Sequence, residues 1–201
     1  GIENLEIPNT ILQQFSNVLR NQNWSGQAAV RTSSKPPRLG SISHSNKNPL
    51  GLAIDIGTTK LAGYLLDLES GLILAKAGAM NPLIAYGEDV VSRIEYVNTH
   101  IDGSIFLHRV LVKSINELLH LLCNSAGKNS TDVLEVSAVG NTVMHHLFCN
   151  LPVEQLGYSP FVPSVSESLH FSSSNIGLEI APGGLVYMPP NLAGYVGADH
   201  V

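Results

Sequence analysis

Asp55 closes the short apolar run Gly51-Leu52-Ala53-Ile54, and behind it come Gly57, Thr58, Thr59 and Lys60, so that the segment reads GLAIDIGTTK. An apolar run of that length is a buried strand, and a carboxylate at its far end needs a task. Gly57 reads as a residue with backbone angles closed to others, letting a ligand approach the main chain, while Thr58 and Thr59 add hydroxyls beside their N–H donors. The chemistry that suits such a turn is phosphate binding, and for Asp55 two readings stand, a carboxylate serving that ligand and an Asp that caps the turn. For Lys60 two readings stand, a charge that screens phosphate and an exposed hairpin lysine. The apolar run restarts at Leu61, so the loop is the tip of a hairpin and not a Walker loop, which would open a helix.

The elements that must position this turn follow from periodicity. Strands are expected over residues 52–56, 61–67 and 73–79, three in an antiparallel row, with Glu69-Ser70-Gly71 as a turn. Helices are expected over 88–97 and 105–124, carried by Val90, Val91, Ile94 and Val97 and by Val110, Leu111, Ile115, Leu118, Leu119 and Leu122. A strand over 133–139 ends in Gly140-Asn141-Thr142, before a short helix to Phe148. These three residues either face phosphate with their N–H groups or cap the helix. Glu88 and Asp89, after Gly87, either stabilise the start of a helix or stand near a nucleotide cleft. Asp199 is likewise either a cap or a cleft residue. Pro152, Pro160 and Pro163 break up a long loop, a last strand covers 184–188, and Asn191-Leu192-Ala193-Gly194 leads toward a helical turn.

Upstream, Ile11, Leu12, Phe15, Val18 and Leu19 share one helical face, and residues 21–50 read as a polar connector with at most one strand. The net charge of −5 hides an asymmetry: five bases and no acid between Ile7 and Ile54, against fourteen acids and six bases from Asp55 onward. The basic stretch has no aromatic interleaving beyond Trp24, which argues for a solvated linker over a nucleic-acid surface. No run reaches the roughly 18 apolar residues of a membrane span, and the first residues lack a signal-peptide pattern, so the expectation is cytoplasmic. Cys123 and Cys149 are the only cysteines and read as buried thiols, and the adjacent His145 and His146 are a poor chelating pair on a helix.

Element order and hairpin motif together resemble the first lobe of the actin-like ATPase fold, an α/β, ribonuclease H-like arrangement with a mixed sheet. Four segments narrow this further: GLAIDIGTTK, NPLIAYGEDVVSRIEYV (81–97), AVGNTVMHHLFCNLPVEQLGYSPFVP (138–163) and PPNLAGYVGADHV (189–201). With them the chain resembles the ATPase region of the reductive activators of corrinoid-dependent proteins. The resemblance implies a division into 1–20, the helical tail of a small middle domain; 21–50, a connector; and 51–201, an incomplete first lobe. It implies ATP and magnesium as cofactors, with Asp55 as the catalytic and metal-holding residue and Gly57, Thr58, Thr59, Lys60, Gly140, Asn141 and Thr142 as nucleotide-binding residues. Glu88, Asp89 and Asp199 are secondary candidates. The implied activity returns a Co(II) corrinoid to Co(I) with the help of ATP, and the implied partner is a corrinoid protein or a corrinoid-dependent methyltransferase, with a homodimer left open.

A [2Fe–2S] cluster and a second phosphate loop are expected only outside these residues. Tyr86, Tyr158, Phe161 and Tyr195 are candidate contact residues in loops. The competing readings are a lobe of a sugar or acetate kinase and a non-catalytic binding or dimerisation module. Because the clamp would be half built, the 201-residue chain on its own is expected to bind magnesium ATP weakly or not at all; a clear micromolar isotherm in titration calorimetry would contradict this.

Overall fold

The computed structural model describes residues 4–21, 23–43, 47–192 and 197–198. Helix α1 (Asn9–Asn21) is followed by β1 (Gln27–Arg31) and β2 (Arg38–Ser43), an antiparallel pair with a bulge at Ala29 and Val30. The polar connector therefore holds two strands, one more than its sparse apolar residues suggested. Val30, Leu39 and Ile42 are enough because the pair needs only one apolar face. Arg38 ties this unit down through Glu6 and through the Ser172 hydroxyl at 3.1 Å. Thr10 donates to the Pro182 carbonyl, and the Gly183 amide donates to the Gly40 carbonyl at 3.0 Å.

The remainder is a mixed α/β unit built on β3 (Leu50–Ile56), β4 (Lys60–Asp67), β5 (Ile73–Met80), α2 (Val90–Thr99), α3 (Gly103–Ser125), β6 (Val133–Val139), α4 (Thr142–Phe148), β7 (Leu169–Ser172) and β8 (Leu185–Met188). The six strands lie in the order β5-β4-β3-β6-β8-β7; β3–β6 and β6–β8 are parallel, and the other pairs are antiparallel. The segment after Pro152, expected as plain loop, contributes edge strand β7, whose four residues LHFS alternate apolar and polar over too short a run to stand out among the surrounding prolines and serines, with Leu169 and Phe171 packed against the core. The expected helical turn at 191–194 falls mostly outside the described residues, as do Tyr195 and Asp199.

Alternation along β3 sorts the two faces of the sheet. Leu50, Leu52, Ile54 and Ile56 are buried under the helices, and Leu107, Leu111, Ile115, Leu118, Leu119 and Leu122 of α3 meet them in one core. Each such side chain contributes roughly 1.5–3 kcal/mol by leaving water. The opposite face carries Ala53, Asp55, Ala62, Tyr64, Met80 and Ser137, in register with one another. Asn116, buried on α3, donates to the Gly177 carbonyl at 2.9 Å and accepts from the Glu179 amide at 3.0 Å, which pins the returning loop. No helix among the described residues is long and apolar enough to cross a membrane.

Helix α3 reaches β4 closely only because Gly63 has no side chain: a Cβ there would stand 2.8 Å from Leu122 Cδ1 and 3.3 Å from Leu118 Cδ2. Gly63→Val is expected to destabilise the fold by about 1–3 kcal/mol through overpacking, read as a lower urea midpoint with an unchanged m-value.

Candidate phosphate site at the β3–β4 turn

Residues Gly57, Thr58 and Thr59 join β3 to β4 at the C-terminal end of the central strand, where Asp55 is exposed. Its register neighbours are Ala62 on β4 and Val139 on β6. Gly57 does not use the left-handed region open to glycine, which among the described residues is taken by Gly71, Gly127 and Gly177. What excludes a side chain at Gly57 is the Lys60 carbonyl oxygen, 2.6 Å from where a Cβ would stand. Thr59 and Lys60 are exposed and Thr58 is partly buried.

Residues from three other segments converge on the turn. Asn81, just past β5 and only 1% exposed, donates from Nδ2 to the Gly57 carbonyl at 2.7 Å. Its backbone N–H donates to the Thr59 carbonyl at 2.9 Å, and its Oδ1 caps the following 3-10 turn by accepting from the Leu83 amide. Arg93 of α2, 0% exposed, donates from Nη2 to the Thr58 carbonyl at 2.6 Å, from Nε to the Gly87 carbonyl at 3.0 Å and from Nη1 to Met144 Sδ at 2.9 Å. Gly87 makes room for it, since a Cβ there would lie 2.7 Å from the Arg93 amide nitrogen. Asn141 donates from Nδ2 to the Thr58 hydroxyl at 2.9 Å. Burial lowers the pKa of Arg93 to about 10, with the Asp89 carboxylate pulling the other way, so the guanidinium stays charged at neutral pH.

Asn81 and Arg93 were not singled out from the sequence. A signal existed for both. Arg93 sits within the apolar stripe Val90, Ile94, Val97, where a charge must be buried and paired; Asn81 precedes Pro82 directly after a strand.

The other candidates divide. Asn141 is the N-cap of α4, accepting from the Met144 amide at 3.0 Å, and is partly accessible beside the turn. Gly140 is buried against β3, where a Cβ would stand 2.9 Å from the Ile56 carbonyl oxygen. Thr142 is fully buried as the first residue of α4. Asp89 is the N-cap of α2 in a reciprocal capping box with Ser92; the Ser92 amide and hydroxyl hold its carboxyl below the usual carboxylate range. Glu88 is exposed at the same helix start. Tyr86 packs edge-on against Tyr96 and Phe106, with centroids 5.3 and 5.1 Å away, while Tyr158 and Phe161 stay exposed.

A single carboxylate beside a turn of backbone donors suits magnesium, which takes one or two protein carboxylates and fills its remaining positions with water and phosphate oxygens. Among the described residues no three His, Cys, Asp or Glu side chains come together as a metal-binding group. The two thiols lie on different elements, and burial pushes Cys123 up to about 11 and Cys149 up to about 12, which makes them poor thiolate ligands.

Residues 50–201 match the family described as the RACo middle region. The chain is 35% identical over 161 residues to the corrinoid activation enzyme RamQ of Eubacterium limosum, an alignment covering 78% of this chain and 27% of that protein. The solved structure of a reductive activator for corrinoid, iron-sulfur protein superposes with a TM-score of 0.84 at 34% identity, covering 98% of this chain and 32% of the other. The chain thus spans about a third or less of the length of these relatives.

Beneath the turn, α4 buries His145 and His146. The His146 ring is neutral and protonated on Nδ1, which donates to the Thr142 carbonyl at 2.8 Å, while Nε2 accepts from the Ser164 amide at 2.9 Å. His145 Nε2 is buried without a hydrogen-bond partner. Burial lowers the pKa of His145 from 6.5 to about 4, and it lowers those of His146 and His108 as well. The unfolded chain therefore binds more protons between pH 6.5 and 4, so stability is complete above that window and falls as pH drops through it. Urea unfolding is expected to show this loss, and His145→Leu should flatten the slope by up to about 1.4 kcal/mol per pH unit.

Proposed function

Because the chain belongs to the RACo middle region family, we propose that residues 51–201 form the phosphate-binding first lobe of an actin-like ATPase region. On this reading the lobe works within a longer protein that uses ATP to return a Co(II) corrinoid protein to the Co(I) state. The observation that carries the reading is the turn itself. An exposed Asp55 stands at the end of a central strand, next to a loop whose three carbonyls are all occupied by donors from elsewhere in the fold. The similarity to RamQ and to the reductive activator structure supports the corrinoid protein, or its methyltransferase, as partner.

The roles follow from the donors. Asp55 holds magnesium through water, which neutralises charge on the β- and γ-phosphates of ATP. Thr58 and Thr59 present N–H groups, and the Thr58 hydroxyl, which accepts from Asn141, has its own proton to donate. Lys60 adds a positive charge at the rim. Asn141 steadies Thr58 and the start of α4 together. An electron-transferring iron–sulfur cluster belongs to another part of the protein, since two separated thiols, Cys123 buried and Cys149 partly buried, both with raised pKa, offer it no seat here.

In the full-length protein Asp55→Asn is expected to lower both magnesium-dependent ATP hydrolysis and ATP-supported corrinoid reduction by about 100-fold or more. The variant should still fold, because the side chain is exposed. Wild-type rates in a folded Asp55→Asn protein would sink the proposal.

A further inference from the structure

Three successive peptide units of the turn are held by their carbonyls. The Gly57 oxygen is taken by Asn81 Nδ2, the Thr58 oxygen by Arg93 Nη2, and the Thr59 oxygen by the Asn81 backbone N–H. A trans peptide is planar, with its C=O and N–H pointing in opposite directions. Fixing a carbonyl therefore aims the N–H of the next residue. Arg93 belongs to the helical layer under the sheet, and Asp55 belongs to the opposite face. The Thr59 N–H thus points away from the helices, toward the face that carries Asp55.

We infer that Arg93 and Asn81 are positioning residues that aim the Thr58 and Thr59 amides at the phosphate, with Arg93 acting through the Thr58 peptide and not by contact. This rests on the phosphate-binding reading of the turn. The arginine adds more than geometry. A charged donor on a carbonyl polarises that peptide group, so its N–H becomes a stronger donor at the far side. A buried charge thereby acts on the ligand one peptide unit away while staying out of water. Arginine is required because one planar fork reaches Gly87, Thr58 and Met144 at once, and a lysine ammonium is a point charge on a flexible stem.

The test uses full-length protein with two conservative variants. Arg93→Lys keeps the charge and loses the fork. Asn81→Asp keeps the Oδ1 cap on the Leu83 amide and replaces the donor to the Gly57 carbonyl with an acceptor. Magnesium ATP affinity is measured by calorimetry, and amide exchange over residues 55–62 is followed by mass spectrometry without nucleotide. Both variants are expected to weaken magnesium ATP by about tenfold or more, as loss of a charge-assisted or buried hydrogen bond does, and to speed exchange in that segment. Faster exchange with unchanged affinity would overturn the positioning role. Unchanged exchange would overturn the clamp itself, whatever the affinity. A wild-type protein with no magnesium ATP affinity would instead defeat the phosphate reading on which the inference rests.

Discussion

A guanidinium that cannot lose its proton at neutral pH is buried at Arg93, and the packing around the site follows from that constraint. Removing such a charge from water costs several kcal/mol even after relaxation, so its donors must be placed well. The hydrogen bonds it makes run to two backbone carbonyls and a thioether, supplied by the segment before α2, by the β3–β4 turn and by α4. Each of these segments is consequently fixed relative to the others. The glycine at position 87 exists to let this residue through, and the capping box at Asp89 places α2 so that the side chain arrives.

The sheet separates support from exposure. Its helical side is filled by leucines of α3, which close on β4 across Gly63, while its other side carries Asp55 between Ala62 and Val139. The Asp55 carboxylate is exposed on that face. In the interior the same acid would be pushed toward its neutral form. The corrinoid activation enzyme and the reductive activator to which the chain is similar are about three times its length or more.

Much of this was legible from residue patterns. The β3–β4 hairpin, the buried stripe of α3 and strand β6 follow from alternation and from the i, i+3, i+4 spacing, because those elements bury one face each. Less legible were the parts whose order comes from elsewhere. Strand β7 is only four residues long, so its alternation of Leu169 and Phe171 with His170 and Ser172 is too brief to stand out, and it forms where β8 offers an edge. The pair β1–β2 lies in a polar stretch and is held by α1 and by the loop at Pro182 and Gly183. Gly57 was read as a residue of special backbone angles, yet it is required by the approach of the Lys60 carbonyl, a contact visible only once the turn is closed. Arg93 and Asn81 act through backbone atoms far away in the chain, and no local spacing encodes that.

The N-terminal unit and the turn lie at opposite ends of β3. A cavity of about 780 Å³, lined by Phe15, Ala28, Lys47, Pro49 and Glu135 among others, adjoins the start of that strand, and Gly57 follows its end, about 20 Å away at the usual rise per residue. Strand β3 is hydrogen-bonded on both flanks, to β4 and to β6. It cannot slide by a fraction of a residue, and a slip of one whole residue would turn Asp55 into the core and Ile54 into water. Sliding along the strand axis is therefore quantised and closed, so motion at one end reaches the other as rotation or translation of the sheet as a body.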